Sequence, residues 1–344
     1  MRRRELLKGL AAVAWLPAPG RVLAAAAGGP GPVTVDALPK LVGELTLYLG
    51  RGEGGLYEDI LGAIRRRNPE LELKVRRGPS TALANTLVAE ARAGRVRADL
   101  FWSVDASALG MVAREAAPAT IPETLGAQLK EGFRYRDWVP VSGRVRTLPF
   151  HTGRLAAGDL PEDVMALPET DLRFGWAPAY GAFQAFVTAM RLLEGEDATG
   201  AWLERMAGQA SEYAGELGVV MAAARGEVDA GFANHYYTLR LKQGQPDAQV
   251  DLAFTRGDAG CLLNASGAAI LRESELAVNF VRHLHTAEVQ SYLAREAFEI
   301  PLVAGIPAPE GLPALTTLEP PRVDLERLAD LRPTLALLRR AGVL

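Results

Sequence analysis

Two adjacent tyrosines, Tyr236 and Tyr237, follow Asn234 and His235 directly after the strand-like run Asp229-Ala230-Gly231-Phe232. A phenolate is a hard, anionic oxygen donor, and hard, highly charged cations prefer oxygen to sulfur. Fe(III) is the cation that paired tyrosinates suit best, because it can displace the phenol proton far below its free pKa of about 10. Competing chemistry is scarce. Cys261 is the single cysteine, so neither an intrachain disulfide nor a multi-cysteine metal site can form. The four histidines, His151, His235, His283 and His285, have no zinc-type spacing. His283 and His285 stand two apart in an expected helix and so point to different faces. The chain holds no P-loop, no G-x-S-x-G and no G-x-G-x-x-G opening a helix after a strand, which leaves an enzyme reading without a motif.

The tyrosines need a scaffold, and the patterning supplies one. Residues 44–49 read as a buried strand, and residues 56–67 as a helix with Leu56, Ile60, Leu61 and Ile64 on one face. A strand at 71–75, a helix from Ser80 as its cap through 93, and a strand at 98–102 follow. The second half repeats the style with a strand at 173–176, a helix at 182–193 and a strand at 228–232. A last helix is expected over 325–341. Strands alternating with helices predict βαβ units and a parallel sheet, an α/β fold. The tryptophans Trp102, Trp138, Trp176 and Trp202, together with Cys261, read as core.

The N-terminus reads as an export signal. Residues 1–28 combine a basic start (Arg2, Arg3, Arg4, Lys8), a short apolar run and the small residues 24–27. The apolar run is too short to span a bilayer. Arg3-Arg4-x-Leu6-Leu7-Lys8 is similar to the twin-arginine export motif. The chain would then work in the periplasm or tethered at the cell surface. The Gly/Pro/Ala-rich stretch after the signal suits a flexible tether. Formal charge is −3 for the whole chain and about −7 without the cationic leader, which argues against a nucleic-acid partner. A hydrophobic fraction of 49% with 23% charged residues fits a packed globular protein of two domains.

Six ordered segments carry a family resemblance. They are Leu47-Tyr48-Leu49-Gly50-Arg51; Asp99-Leu100-Phe101-Trp102-Ser103; residues 138–146; residues 175–183 with Pro178-Ala179-Tyr180-Gly181; residues 226–231 leading to the tyrosine pair; and residues 257–260 leading to 266–270. In this order the chain resembles the periplasmic ferric-ion-binding proteins of ABC iron importers. The resemblance implies a two-lobed solute-binding fold of type II, each lobe a sheet flanked by helices, with the ligand cleft between lobes. It implies a first lobe of residues 34–143 and 265–317 and a second of 144–264 and 318–344. It implies no enzymatic activity, a monomer, and an ABC permease in the inner membrane as partner.

The same resemblance sorts the ligands. One branch adds a histidine and a glutamate from the first lobe, but here Gly52 and Val104 stand in those places. Another branch adds a third tyrosine from a Pro-x-Tyr-Gly turn, which here is Tyr180. The implied metal set is therefore Tyr180, Tyr236 and Tyr237. Three phenolates match the charge of Fe(III) but do not fill six coordination positions, and the resemblance implies carbonate or bicarbonate as a further ligand. Arginine's planar fork suits such an anion. Arg144 and Arg146 share a face of the expected crossover strand, and Arg51 is placed to reach from the opposite lobe. Glu53 and Asp105 are outer-shell candidates, His235 is expected to bond backbone, and Glu216 is left without a role. Loss of the first-lobe histidine and glutamate keeps open a same-fold protein that binds a small organic anion without metal.

Overall fold

A computed structural model of the chain describes residues 32–50 and 55–344. The export-signal reading, Arg51, Gly52 and Glu53 lie outside the described residues. In chain order the strands are β1 (Gly43–Leu49), β2 (Leu71–Arg77), β3 (Leu100–Ser103), β4 (Val139–His151), β5 (Phe174–Trp176), β6 (Ala210–Glu212), β7 (Ala230–Gly231), β8 (Ala233–Asn234), β9 (Val250–Ala253), β10 (Leu263–Ile270) and β11 (Ile300–Pro301). The α-helices are α1 (Gly55–Arg67), α2 (Ser80–Arg92), α3 (Ala106–Glu115), α4 (Glu123–Gly126), α5 (Gly181–Leu193), α6 (Glu196–Ala207), α7 (Glu216–Ala224), α8 (His235–Gly244), α9 (Glu275–Leu284), α10 (Ala287–Glu296), α11 (Leu315–Leu318) and α12 (Leu331–Arg340).

β1 pairs in parallel with β2 and β3, and β3 continues antiparallel to β10. The run Leu100-Phe101-Trp102 is wholly buried, as a strand covered on both faces must be. On the far side β5 pairs in parallel with β6 and β7. One strand joins the two halves. β4 runs for 13 residues, its first part against β10 and β11 and its last part against β7, β8 and β9. Helices flank both halves, giving two α/β lobes with β4 and β10 side by side at the waist. The register slips between Ser266 and Gly267, a bulge that bends the paired strands there. A core of Leu45, Leu47, Leu61, Val141, Phe280 and their neighbours fills the first half. Phe174, Phe183, Phe186, Trp202 and Phe232 stack or meet edge-on in the second.

Four expectations differ in detail. The sheet is mixed rather than parallel, because β10 and the long β4 run antiparallel to the strands beside them. The helix expected over 325–341 is broken: residues Leu325–Ala329 form a 3₁₀ turn and α12 starts after Asp330. Pro333 explains the break, since within one continuous helix its ring would meet the carbonyl four residues back. In α12 it sits in the first turn, where its missing N–H costs nothing. Ser80 does not cap α2. Pro79 holds that position, while the Ser80 hydroxyl donates to the Gly50 carbonyl and accepts from Val104 N–H. The strand expected at 228–232 is reduced to β7, followed by β8. Among the described residues no helix is long and apolar enough to cross a membrane.

Candidate functional site

Two helix starts build the site. Tyr180 is the N-cap residue of α5, extended at φ −82° and ψ 132°, and its side chain makes no capping bond. Tyr236 and Tyr237 are the second and third residues of α8, whose N-cap is Asn234. All three tyrosines thus sit at helix N-terminal ends, where the helix dipole is positive and favours anionic oxygen. Gly231 makes the approach close. A Cβ there would lie 2.3 Å from Val219 Cγ1 and 2.8 Å from the Gly175 carbonyl, so only glycine lets β7 nest against β5.

The hydroxyls of Tyr180 and Tyr237 are 2.9 Å apart and hydrogen-bonded. The rings of Tyr236 and Tyr237 lie 4.6 Å apart at 52°. Asn234 Nδ2–H donates to the Tyr236 hydroxyl at 3.3 Å, and the Arg240 guanidinium lies 4.8 Å over the Tyr236 ring. Burial holds the Tyr180 phenol above its ordinary pKa, and Tyr236 adds to the shift; the bond to Tyr237 and the nearby Arg144 charge oppose it. Burial also raises Tyr237 strongly, with Tyr236 and Tyr180 contributing. The structure thus brings Tyr180, Tyr236 and Tyr237 together as a cluster of hard oxygen donors. Among the described residues no group of three or more His, Cys, Asp and Glu side chains is placed to hold a metal.

The two arginines of β4 diverge. Arg144 is mostly buried, opposite Asn264 on β10, and its Nη1 donates to the Val104 carbonyl. Val104, where the resemblance had marked a lost carboxylate, thus meets Arg144 through its backbone carbonyl. Arg146 lies deeper, at 2% exposure. Its Nη2 is 2.7 Å from Glu216 Oε1 and its guanidinium sits 5.4 Å over Phe186 of α5. Asp105 is the N-cap of α3 and accepts from Ala108 N–H. His235 is wholly buried, with Nδ1 accepting from Val145 N–H and Nε2–H donating to the Phe298 carbonyl. Burial lowers its pKa to about 4, so the ring is neutral and both nitrogens are taken by backbone.

Glu216, singled out by the resemblance but left without a role, meets Asn234, which sequence reasoning did not single out. Glu216 begins α7 and is 1% exposed. Its Oε2 accepts from Asn234 N–H at 2.9 Å. The resemblance placed Glu216 in a turn that often helps hold the anion, but the residue pattern showed just an acidic residue opening an otherwise apolar helix, a position that ordinarily faces water.

Known proteins resemble this chain over most of its length. The major ferric iron-binding protein of Neisseria meningitidis (serogroup A, serotype 4A) is 31% identical over 320 residues, which cover 89% of this chain and 95% of that protein. The Fe(3+)-binding periplasmic protein of Serratia marcescens is 28% identical over 285 residues, 80% of this chain and 83% of the relative. Among solved structures, iron-bound HitA from Pseudomonas aeruginosa matches with a TM-score of 0.77 at 27% identity, over 87% of this chain and 99% of that one. No family model matches the chain.

Proposed function

The chain belongs to the family of ferric-iron-binding proteins, and from that premise we propose that it captures Fe(III) in the periplasm through Tyr180, Tyr236 and Tyr237 and delivers it to an ABC importer. The observation that carries this reading is the hydrogen bond between the Tyr180 and Tyr237 hydroxyls, with Tyr236 beside them, at the N-terminal ends of α5 and α8. Two hydroxyls within hydrogen-bonding distance sit close enough to share a cation. Iron would replace the proton between them, and the two helix dipoles would favour the resulting phenolates.

Carbonate or bicarbonate completes the coordination, held by Arg144 in this reading. The Arg144 fork keeps further N–H groups besides the one on Val104, and its charge already reaches Tyr180. Arg146 acts from behind, through Glu216. The lobes correspond to residues 34–143 with 265–317 and 144–264 with 318–344, and closing them around β4 and β10 would exclude water from the ion. The protein works as a monomer, and binding and release are its whole task; no step of catalysis is required.

Titration with Fe(III) tests the reading. Purified protein with bicarbonate should turn red or purple as phenolate-to-iron charge transfer appears. Tyr→Phe removes the oxygen and keeps the ring. Tyr180→Phe should weaken iron binding by about 10–100-fold, the range seen when a metal site loses support, and shift or bleach the band. A colourless wild-type mixture would instead point to a protein that binds a small organic anion. An unaltered band in Tyr180→Phe would remove that residue from the site.

A further inference from the structure

Beneath the tyrosines lies an ion pair that the iron reading does not use. Glu216 and Arg146 are both almost wholly buried and 2.7 Å apart. Burying a carboxylate with a guanidinium is costly, and a well-packed apolar pair is often the more stable choice. The pair does, however, connect to the site. Glu216 Oε2 accepts from the backbone N–H of Asn234, and the Asn234 side chain donates to the Tyr236 hydroxyl. Arg146 Nη1 is buried with no hydrogen-bond partner among the described residues, so the fork faces a position that Glu216 satisfies only in part. The Glu216 charge is also felt at Tyr180 and Tyr237.

We propose that Glu216 is a positioning and specificity-determining residue of the iron site: its tethered carboxylate occupies the place beside Arg146 that a dissolved anion would otherwise take. Through Asn234 it also sets the Tyr236 hydroxyl. The consequence is stoichiometric. A guanidinium this deeply buried needs a negative partner. With Glu216 present, the Arg146 charge has an anionic partner within the chain, and of the two β4 arginines Arg144 is the one left to call for a solute. The site then takes one external anion per iron. Without the Glu216 carboxylate it would take a second, and a small planar carboxylate would fit best because it reproduces the lost group.

The inference rests on the three-tyrosine reading, and chemical rescue separates the two. In the wild type, iron affinity and the visible band should not respond to formate, and one bicarbonate should bind per iron. Glu216→Ala should lose about 10–100-fold in iron affinity and shift the band, as removal of a group supporting a metal ligand does. Formate should restore both, while chloride should not. Glu216→Gln keeps the acceptor for Asn234 N–H and the packing but removes the charge, so a second anion per iron should appear by calorimetry. The double variant Arg146→Met/Glu216→Leu removes both charges, should stay folded, and should show the shifted band with no formate response. Should Glu216→Ala fail to fold, Glu216→Gln and the double variant decide. Wild-type affinity, band and single-anion stoichiometry in both of these would overturn the proposal, as would a folded Glu216→Ala whose lost affinity formate leaves unrestored. A wild type with no iron band at all would instead overturn the tyrosine site itself.

Discussion

The Tyr180 and Tyr237 hydroxyls are hydrogen-bonded to each other, and that one contact sets how the site should respond to acid. Burial holds both phenols above their ordinary pKa, so at neutral pH each carries a proton, which Fe(III) would have to displace under the three-tyrosine proposal. Iron uptake therefore releases protons, and affinity rises with pH and falls as acid is added. Competition against a chelator between pH 8 and pH 6 should show apparent affinity dropping about tenfold per pH unit for each proton displaced. A pH-independent affinity would mean that these phenols stay protonated in the complex. The tyrosines were legible in the sequence because hard-oxygen chemistry is a property of residue type. The arginines were only half legible. Their shared strand face followed from spacing, but Glu216 lies 70 residues beyond Arg146 and no local pattern links them. The contact of Val104 with Arg144 through its carbonyl was hidden altogether, because a backbone acceptor leaves no mark on a side-chain pattern.

At the scale of elements, periodicity gave β1, α1, β2 and α5 nearly to the residue, since each has one clear apolar face or a buried run. It failed where a single residue outweighs a pattern. Pro333 splits the last helix, and crowding leaves β7 only two residues long. Gly231 shows the strength of such local terms. Gly231→Ala would drive a methyl into Val219 and the Gly175 carbonyl, which should cost about 1–3 kcal/mol by overpacking. It would also push β7 away from β5, and with it the chain that leads into α8. We expect a lower urea midpoint together with weaker iron binding, measured on the same sample. A loss of stability with unchanged iron binding would show that α8 is positioned independently of β7.

For the whole molecule, the waist decides behaviour, and His285 braces it. Its Nε2–H donates to the Pro140 carbonyl on β4, and Gln128 Nε2–H donates to its Nδ1. Burial lowers its pKa to about 4, so the folded state keeps the ring neutral. An unfolded histidine takes a proton near pH 6.5. The folded value is the lower one, so this stabilisation is complete above pH 6.5 and declines as pH falls toward 4. Between pH 7 and pH 5 the loss from this residue should be about 2 kcal/mol. Urea unfolding at the two pH values should show it, and His285→Gln should lose less over the same interval. An equal loss in that variant would place the acid sensitivity elsewhere. The C-terminal segment is the other feature of the waist. Its 3₁₀ turn at Leu325–Ala329 packs on α3, where Glu326 Oε1 accepts from Trp138 Nε1–H. Its helix α12 packs on α5 and α6 in the opposite lobe, joined by the Thr188–Thr334 hydroxyl pair. Two neighbouring strands act nearly as one point of attachment, about which a body can bend and also twist. A third attachment set apart from them defines a line, and a body held along a line keeps a single rotation. On the lobe division proposed above, the jaws of this molecule would thereby be geared to meet in one way, so that the same face of the first lobe returns to the tyrosines at every closure.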